Sequence, residues 1–369
     1  MSNLPGNADI IVLGAGVAGL SAACFLSEAA RVLVLERESQ PAYHSSGRSA
    51  ALYIRGYENP VVSALTGAGA EFLFTPPVDF AEAPLVHPRG SVTLAEPGSE
   101  PALARHLERW HAVCPGLTTI MPAEALDRVP ILRRECIAAA AYDPDWYSVD
   151  VHALIMGYRK AVLRGGGAIV THAAVRGIRH SDGLWHIDSS AGTARAPVVV
   201  NAAGAWAGAI GDLAGLGDVP LAPLRRTAVL VPAPVGYADW PVVHTMAEDL
   251  YFKPEGNGLM LCPEDEVPSE PCDAQPEEID VARTVERFVE LTTLAVPRLL
   301  GRWAGLRTFA PDRRPVTGFD PRAEGFFWLA GQGGFGVQTS PGLGRYVAGR
   351  ILDAAPADPA IDVARFVHA

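Results

Sequence analysis

The stretch Asp9–Glu36 constrains this chain more than any other. Asp9–Leu13 is a short β-branched run of the kind buried on both faces of a parallel sheet. Gly14-Ala15-Gly16-Val17-Ala18-Gly19 follows, then Leu20–Ala30, an Ala- and Leu-rich segment of helical length. Arg31–Leu35 reads as a second apolar strand, with Glu36 at its end. Gly14 permits a tight turn, Gly16 lets backbone amides approach a pyrophosphate, and Gly19 lets the helix pack close to the strand. The helix N-terminus adds partial positive charge for a diphosphate, and Glu36 stands where a carboxylate can accept both ribose hydroxyls. A glycine turn alone is common. Strand, glycines, helix, strand and acid in this order predict a dinucleotide-binding unit. The fingerprint does not by itself separate FAD from NAD.

The chain has 369 residues, enough for about two domains. With 49% hydrophobic and 19% charged residues it reads as ordinary globular protein. A formal net charge of −11 argues against nucleic acid or an anionic membrane as the main partner, but not against a small anionic substrate held by local arginines. Five cysteines with no CxxC pair read as separate reduced thiols, and no metal site is expected. Met1–Ala8 lacks a basic segment followed by an apolar one, so a cytoplasmic location is expected, with peripheral association with the inner face of the membrane left open. Ile10–Ala30 is apolar enough to suggest a membrane span. Its glycines favour a buried strand–turn–helix instead, and no transmembrane segment is expected.

Farther along, Pro41–Tyr57 is a polar loop leading into a short apolar patch. Val61–Phe74, Pro101–Cys114, His152–Leu163 and Val281–Leu294 read as helices. Gly90–Leu94, Ala168–Thr171, Val175–His180, Leu184–Asp188 and Pro197–Val200 read as strands, with Ser181-Asp182-Gly183 turning one hairpin. Pro220–Leu261 has short strands broken by prolines, typical of an antiparallel sheet, and acidic Pro263–Pro276 reads as a surface loop. The end returns to an α/β pattern, with strand Phe326–Ala330, glycine-rich turn Gly331–Gly336 and helix Pro341–Asp353. The expected fold is therefore α/β, a Rossmann-like nucleotide domain of the glutathione-reductase type with an antiparallel-sheet substrate domain. The nucleotide domain is discontinuous, over residues 1–51, 146–219 and 310–369. The insertions 52–145 and 220–309 build the second domain.

On Ile11–Gly19, Leu35–Arg37, His44–Ala51, Val200–Trp206, Trp303–Phe309 and Phe326–Ser340, essentially the whole chain resembles the D-amino-acid oxidase/glycine oxidase superfamily of flavoproteins. Within it the chain most resembles the bacterial D-arginine dehydrogenases. Gly331-Gln332-Gly333-Gly334-Phe335-Gly336-Val337-Gln338-Thr339-Ser340 is far more specific than the N-terminal glycines. The resemblance implies FAD, and FAD without a covalent link, because Thr308 and Phe309 follow Arg307 where sarcosine oxidases have a flavin-linking cysteine nearby. It implies Gly14, Gly16 and Gly19 on the diphosphate, Glu36 on the adenosine ribose and Val175 near adenine. Ser45, Arg48 and Ser49 would lie near the diphosphate and flavin, and Gly334, Gly336, Val337, Gln338 and Thr339 would line the flavin ring. Ala18, Arg37, His44, Ala50, Ala202, Gly204, Trp206 and Gly331 complete the expected cofactor set.

Amine oxidation at a flavin demands orientation more than acid–base groups. A guanidinium fork matches a carboxylate. Arg307, in Trp303-Ala304-Gly305-Leu306-Arg307, matches the superfamily's carboxylate-binding arginine, and Arg226 a second arginine at the substrate. Tyr57 and Tyr251 match tyrosines bordering the substrate, and Gly305 can offer its carbonyl to the amine. The ordinary alternatives are solvated arginines and structural tyrosines. His44, in the cofactor loop, suits a structural or flavin-side role better than that of a base. Three positions depart from the D-arginine dehydrogenases. Ser91 replaces a glutamate that grips a guanidinium, and Leu52 and Ile54 replace a histidine and a threonine. These suggest a neutral or hydrophobic D-amino acid rather than D-arginine. Met260 stands where sarcosine oxidases have an oxygen-activating lysine, which tilts the expectation toward a dehydrogenase passing electrons to a quinone rather than O2. The expected reaction moves a hydride from the substrate Cα to flavin N5, giving an imino acid that hydrolyses to a 2-oxo acid and ammonia. A glycine- or sarcosine-type oxidoreductase, a flavoprotein subunit of an amine dehydrogenase and a non-catalytic flavoprotein are the alternatives.

Overall fold

Ile10–Leu13, Val32–Leu35 and Val198–Asn201 form strands buried along almost their whole length because both faces of their sheet are covered. The computed structural model describes residues 4–367. Residues 1–3, part of the N-terminal stretch read above for a signal, and 368–369 fall outside it. The sheet order is Val316–Phe319, Phe326–Ala330, Val198–Asn201, Ile10–Leu13, Val32–Leu35, Ala168–Val170. All neighbours are parallel except the antiparallel edge strand Val316–Phe319. Period-two alternation divides the side chains between two cores. Ile10, Val12, Val32, Val34, Phe327 and Leu329 face the helices Val17–Leu26, Val151–Arg164 and Gly336–Leu352. Ile11, Leu13, Leu33, Leu35, Phe326 and Trp328 face the three-stranded sheet Val175–Ser181, Leu184–Ser189, Gly192–Ala196.

Three expected boundaries shift for local reasons. The first helix starts at Val17, inside the glycine fingerprint, with Gly16 as its N-cap, and ends at Leu26. Val61–Phe74 splits at Gly69 into Pro60–Ala68 and Ala70–Phe74, where the chain passes close to Pro341 and Gly342. The last helix starts at Gly336 and contains Pro341. That proline cannot donate to Val337, and the Ser340 hydroxyl donates to the Val337 carbonyl instead at 2.9 Å.

The second domain is built on a nine-stranded sheet drawn from Ser91–Ala95, Thr118–Ile120, Ala139–Asp143, Ala222–Pro232, Val242–Thr245, Tyr251–Glu255, Gly258–Cys262, Val267–Pro268 and Gly301–Phe309. Every one of these strands lies within the two insertions expected from sequence. It is not purely antiparallel, since Val242–Thr245 runs parallel to Ser91–Ala95. One face, carrying Val92, Leu94, Val229, Val231, Phe252 and Leu261, packs on the amphipathic helix Glu278–Leu291 through Val281, Phe288 and Leu291. The division expected at residue 52 needs correction. Phe72, Leu73, Phe80 and Leu85 belong to the core of the nucleotide domain, and Leu52–Tyr53 and Val86–Pro88 both pair with Tyr147–Val149. The large sheet begins only at Ser91. The acidic segment is largely the exposed loop expected, but it also contributes the short strand Val267–Pro268, and Asp265 accepts both the amide and the hydroxyl of Thr227, at 2.7 and 2.8 Å.

Candidate active site

The other face of the nine-stranded sheet looks toward the glycine turn. Cross-strand register sets Arg226 opposite Gly305, Leu224 opposite Arg307, Tyr251 opposite Cys262 and His244 opposite Tyr251. Residues directly opposite share a face, so these side chains form one surface. Arg225 points to the other face, where it pairs with Glu277 and, at 2.8 Å, with Asp280 of the packed helix. Adjacent arginines thus have different fates because strand side chains alternate.

Two connected cavities lie between the domains. The first is walled by the helix start Gly16–Ala18, the loop residues Ser45–Ala50 except Gly47, then Ala202 and Gly204, the strand residues Met260, Cys262 and Gly305–Thr308, and the turn residues Gly334, Gly336 and Val337. The second, of about 940 Å³, is walled by Leu52, Ile54, Tyr57, Trp146, Val242, His244, Glu264 and Gln338 among others. Ser49, Ala50, Arg226, Tyr251, Arg307, Gly334 and Val337 border both.

Arg307 has no hydrogen-bond or ion-pair partner among the described residues. A Cβ on Gly334 would stand 2.7 Å from its Nη1. Glycine at 334 therefore leaves room for a guanidinium at the seam of the two cavities. Tyr57 and Tyr251 flank it. Burial pushes both phenols above their ordinary range, so they stay protonated donors although the nearby Arg307 charge pulls the other way. Arg226 lies on the same face and is only partly engaged, its Nε and Nη1 being buried without a hydrogen-bond partner among the described residues. It pairs with Glu266 at 3.0 Å and approaches Glu264 at 3.8 Å. Glu266 in turn holds Arg313, which also pairs with Glu58.

The expected specificity positions separate. Leu52 and Ile54 border the larger cavity, and Gly305 the smaller. Ser91 borders neither. It is on the site face of the sheet, beside Val242, but buried at 1% exposure. An exchange at residue 91 therefore does not by itself set the character of the wall. Nor is the larger cavity simply apolar, because Glu58, Glu248, Glu264 and Glu266 line it. These carboxylates escaped the sequence reading because three of them sit in segments without periodicity. The Pro-rich acidic run 263–276 reads as surface, and only its pairing with the strand Ala222–Pro232 brings Glu264 and Glu266 to the cavity. Cys262 and Ser46 were missed likewise. Ser46 accepts from the Val17 amide at 2.9 Å at the helix start, and burial pushes the Cys262 thiol up. At the far end, Trp146 stacks on His244, whose Nε2 is 2.8 Å from Thr93 Oγ1. Burial, with His106 nearby, pushes His244 down to about 3.

Several expected cofactor residues lie outside both cavity walls. Glu36 ends its strand and accepts from the Ala15 and Glu38 amides at 2.7 and 2.9 Å, which leaves a lone pair on each oxygen for a ribose. His44 is held by Glu38 at 3.0 Å and packs on Trp206, over which Arg37 also stacks at 4.5 Å. Val175 starts its strand two residues after Ala173, whose amide donates to the Glu36 carbonyl. Arg48 borders the smaller cavity but sends its guanidinium to the carbonyls of Ala274 and Ala304 and to Asp273, which ties the loop to the second domain. Thr339 is fully buried, and its hydroxyl donates to the Phe335 carbonyl rather than into a cavity.

A dinucleotide fits what remains. The Gly14 and Ala202 turns leave the neighbouring parallel strands Ile10–Leu13 and Val198–Asn201 at their carboxyl ends, the switch point where such folds bind nucleotides. Gly14 has φ +103°, and a Cβ there would meet the Ala202 carbonyl oxygen at 2.6 Å. The Gln332 and Gln338 side-chain amides are buried without partners, two donors at the turn where a flavin ring is expected. Gln338 Oε1 is already taken by the Ile54 amide at 2.9 Å.

A switch-point glycine turn joined to a second sheet that brings an unpaired arginine and two phenols over it defines a two-domain nucleotide-dependent oxidoreductase. The family model described as FAD dependent oxidoreductase (DAO) matches residues 9–350, and the chain belongs to that family. Among curated proteins it is 25% identical to the FAD-dependent oxidoreductase domain-containing protein 1 of Bos taurus, over 95% of this chain and 82% of the relative. It is 28% identical to the glycine oxidase of Geobacillus kaustophilus over 67% of this chain and 64% of the relative. It is also 25% identical to the mitochondrial dimethylglycine dehydrogenase of Rattus norvegicus, of which it spans 43%. The fold matches the crystal structure of Geobacillus kaustophilus glycine oxidase with a TM-score of 0.84, at 23% identity and 98% coverage of both chains. The protein is an FAD-dependent oxidoreductase. No helix among the described residues is long and apolar enough to cross a membrane, and no cluster of metal-ligating side chains is found among them.

Proposed function

We propose that the protein oxidises the amine of an amino acid whose carboxylate is held by Arg307. The observation that carries this reading is an unpaired guanidinium at the seam of the two cavities, seated against Gly334. FAD, when bound, supplies the acceptor for the substrate's hydride. Arg307 orients the acid group, the neutral Tyr57 and Tyr251 hydroxyls can donate to the same oxygens, and their rings exclude water. Arg226 gives Nη2 to Glu266, and its buried, unpartnered Nε and Nη1 can support Arg307 in holding the acid. The oxidised imino acid then hydrolyses to a 2-oxo acid and ammonia.

The narrower reading is a D-amino acid with a neutral or hydrophobic side chain. It rests on the superfamily resemblance for configuration and on the apolar cluster of Leu52, Ile54, Trp146 and Val242 for the side chain. A second reading, an N-substituted or unsubstituted glycine, draws on the relatives named glycine oxidase and dimethylglycine dehydrogenase. Anaerobic flavin bleaching with D-leucine, D-methionine, D-phenylalanine, D-arginine, glycine and sarcosine separates them. The neutral D-amino acids should bleach fastest. A clear win for D-arginine or sarcosine would reject the narrower reading, and no bleaching by any of them would favour a non-catalytic flavoprotein.

Met260 borders the smaller cavity, and Lys253, opposite it on the next strand, is engaged by Glu255. This supports transfer of electrons to an acceptor such as a quinone in preference to O2. We also infer non-covalent FAD. Cys262 is near Arg307 in space though not in sequence, but its buried thiol stays protonated and beside Tyr251. Acid precipitation should leave all the yellow colour in the supernatant. Colour retained in the pellet, and lost from it on exchanging Cys262→Ser, would show a link.

A further inference from the structure

Glu264 borders the substrate cavity, yet it makes no hydrogen bond among the described residues, and its nearest cation, Arg226, is 3.8 Å away. It is held there by its own segment. Pro263 precedes it, Asp265 is anchored to Thr227 by two bonds, and its backbone is left-handed at φ +57°, a conformation a β-carbon disfavours. Arg226 gives its Nη2 to Glu266, while its Nε and Nη1, the latter 3.8 Å from Glu264, are buried without a hydrogen-bond partner, so Glu264 is held only loosely by it. Arg105 and Glu248 also line the cavity without partners among the described residues but are exposed; of the charges set deeper in it, Arg307 has no partner there and Glu264 has only the distant Arg226. That is the charge pattern of a zwitterion turned inside out.

Resting on the reading that Arg307 holds the substrate's carboxylate, we propose that Glu264 recognises the substrate's ammonium group and so selects amino acids over plain carboxylic acids. A carboxylate that accepts from an ammonium also lies where it can take the proton the amine must lose. The balance is simple: R–NH3⁺ and the carboxylate give R–NH2 and the carboxylic acid. Burial pushes Glu264 up to about 7, with Arg226 and Arg307 pulling down and Glu248 and Asp249 pushing up. Its ionised form thus dominates only above that pH. Of the groups around it, burial holds Tyr57 and Cys262 neutral, Arg307 is held protonated, and Glu266, paired with Arg313, is held low. Asp249 is bonded to Arg287 and Thr245.

The test uses the FAD-loaded protein and two ligands that lack an α-hydrogen and cannot be oxidised. These are 2-aminoisobutyrate and its isostere pivalate, in which a methyl replaces the ammonium. Calorimetric titration of the wild type from about pH 6 to about pH 8.5 should show 2-aminoisobutyrate binding about fivefold tighter as Glu264 ionises. Pivalate should weaken, because the same negative charge opposes an anion on Arg307. Glu264→Gln should loosen 2-aminoisobutyrate about tenfold, leave pivalate unchanged or tighter, and abolish the opposed pH slopes. Parallel pH slopes for the two ligands in the wild type would overturn the proposal, as would equal losses in the variant. Failure of the wild type to bind either ligand would instead defeat the Arg307 reading, and this one with it.

Discussion

Replacing Arg307 by alanine will lower kcat/KM for the amino-acid substrate by about two to four orders of magnitude. A guanidinium holding both oxygens of a carboxylate makes two charge-assisted bonds, each contributing about 1.5–3 kcal/mol. Arg226, on the same face, already gives one nitrogen to Glu266, and the flanking Tyr57 and Tyr251 are neutral donors, so none of them replaces the full fork. Alanine there also leaves Gly334 facing an empty space where the guanidinium had been seated. Arg307→Lys should recover only part of the loss, since an ammonium keeps the charge without the fork. The measurement is the rate of anaerobic flavin reduction against substrate concentration, alongside the FAD-to-protein ratio. An alanine variant with full FAD and a rate constant within about threefold of the wild type would remove the carboxylate clamp from the scheme.

The second large effect concerns the fold under the cofactor. Gly19→Ala should destabilise the protein by an amount at or above the upper end of the usual 1–3 kcal/mol, roughly, for overpacking, and lower its FAD content severalfold. A Cβ at residue 19 would overlap the Gly14 carbonyl oxygen, with the Gly14 carbonyl carbon at 3.1 Å and Val12 Cγ1 at 3.2 Å. The first two are backbone atoms of the nucleotide turn. The methyl is accommodated only if the helix Val17–Leu26 lifts from its strand, which moves the helix start away from the diphosphate position. Gly208→Ala is the contrast, because nothing lies within 4 Å of a Cβ there and the residue is in a helix. It should be neutral or slightly stabilising. Denaturant midpoints and the ratio of flavin to protein absorbance check both. Equal behaviour of the two variants would mean that close packing at Gly19 does not set the cofactor site.

Much of the nucleotide domain was legible because its signals are local. The run Ile10–Leu13, the glycines and the strand Val32–Leu35 are neighbours in sequence and in space, and Phe326–Ala330 was bounded to the residue. Boundaries moved where a tertiary neighbour intervened, as at Gly69 against Pro341 and at Ser340 under its proline. Segment 52–90 could not be assigned from periodicity, since apolar residues such as Phe72 and Phe80 look the same whichever core receives them.

Taken alone, the order of residues determined that a strand–glycine–helix unit would form. It also determined that two insertions would make a second sheet and that Arg307 lies in an apolar motif. Those properties depend on contacts within a few residues or on alternation along one strand. Register and burial decided the rest. Arg226 and Arg307 share a face because Leu224 pairs with Arg307, while Ser91 is sealed away from the cavity. Glu266 binds Arg226 from a segment that reads as solvent-exposed, and Glu264 beside it makes no hydrogen bond among the described residues, with Arg226 3.8 Å away. Whether a charge is paired, free or buried is a property of the space around it, and that space exists only once distant strands have met.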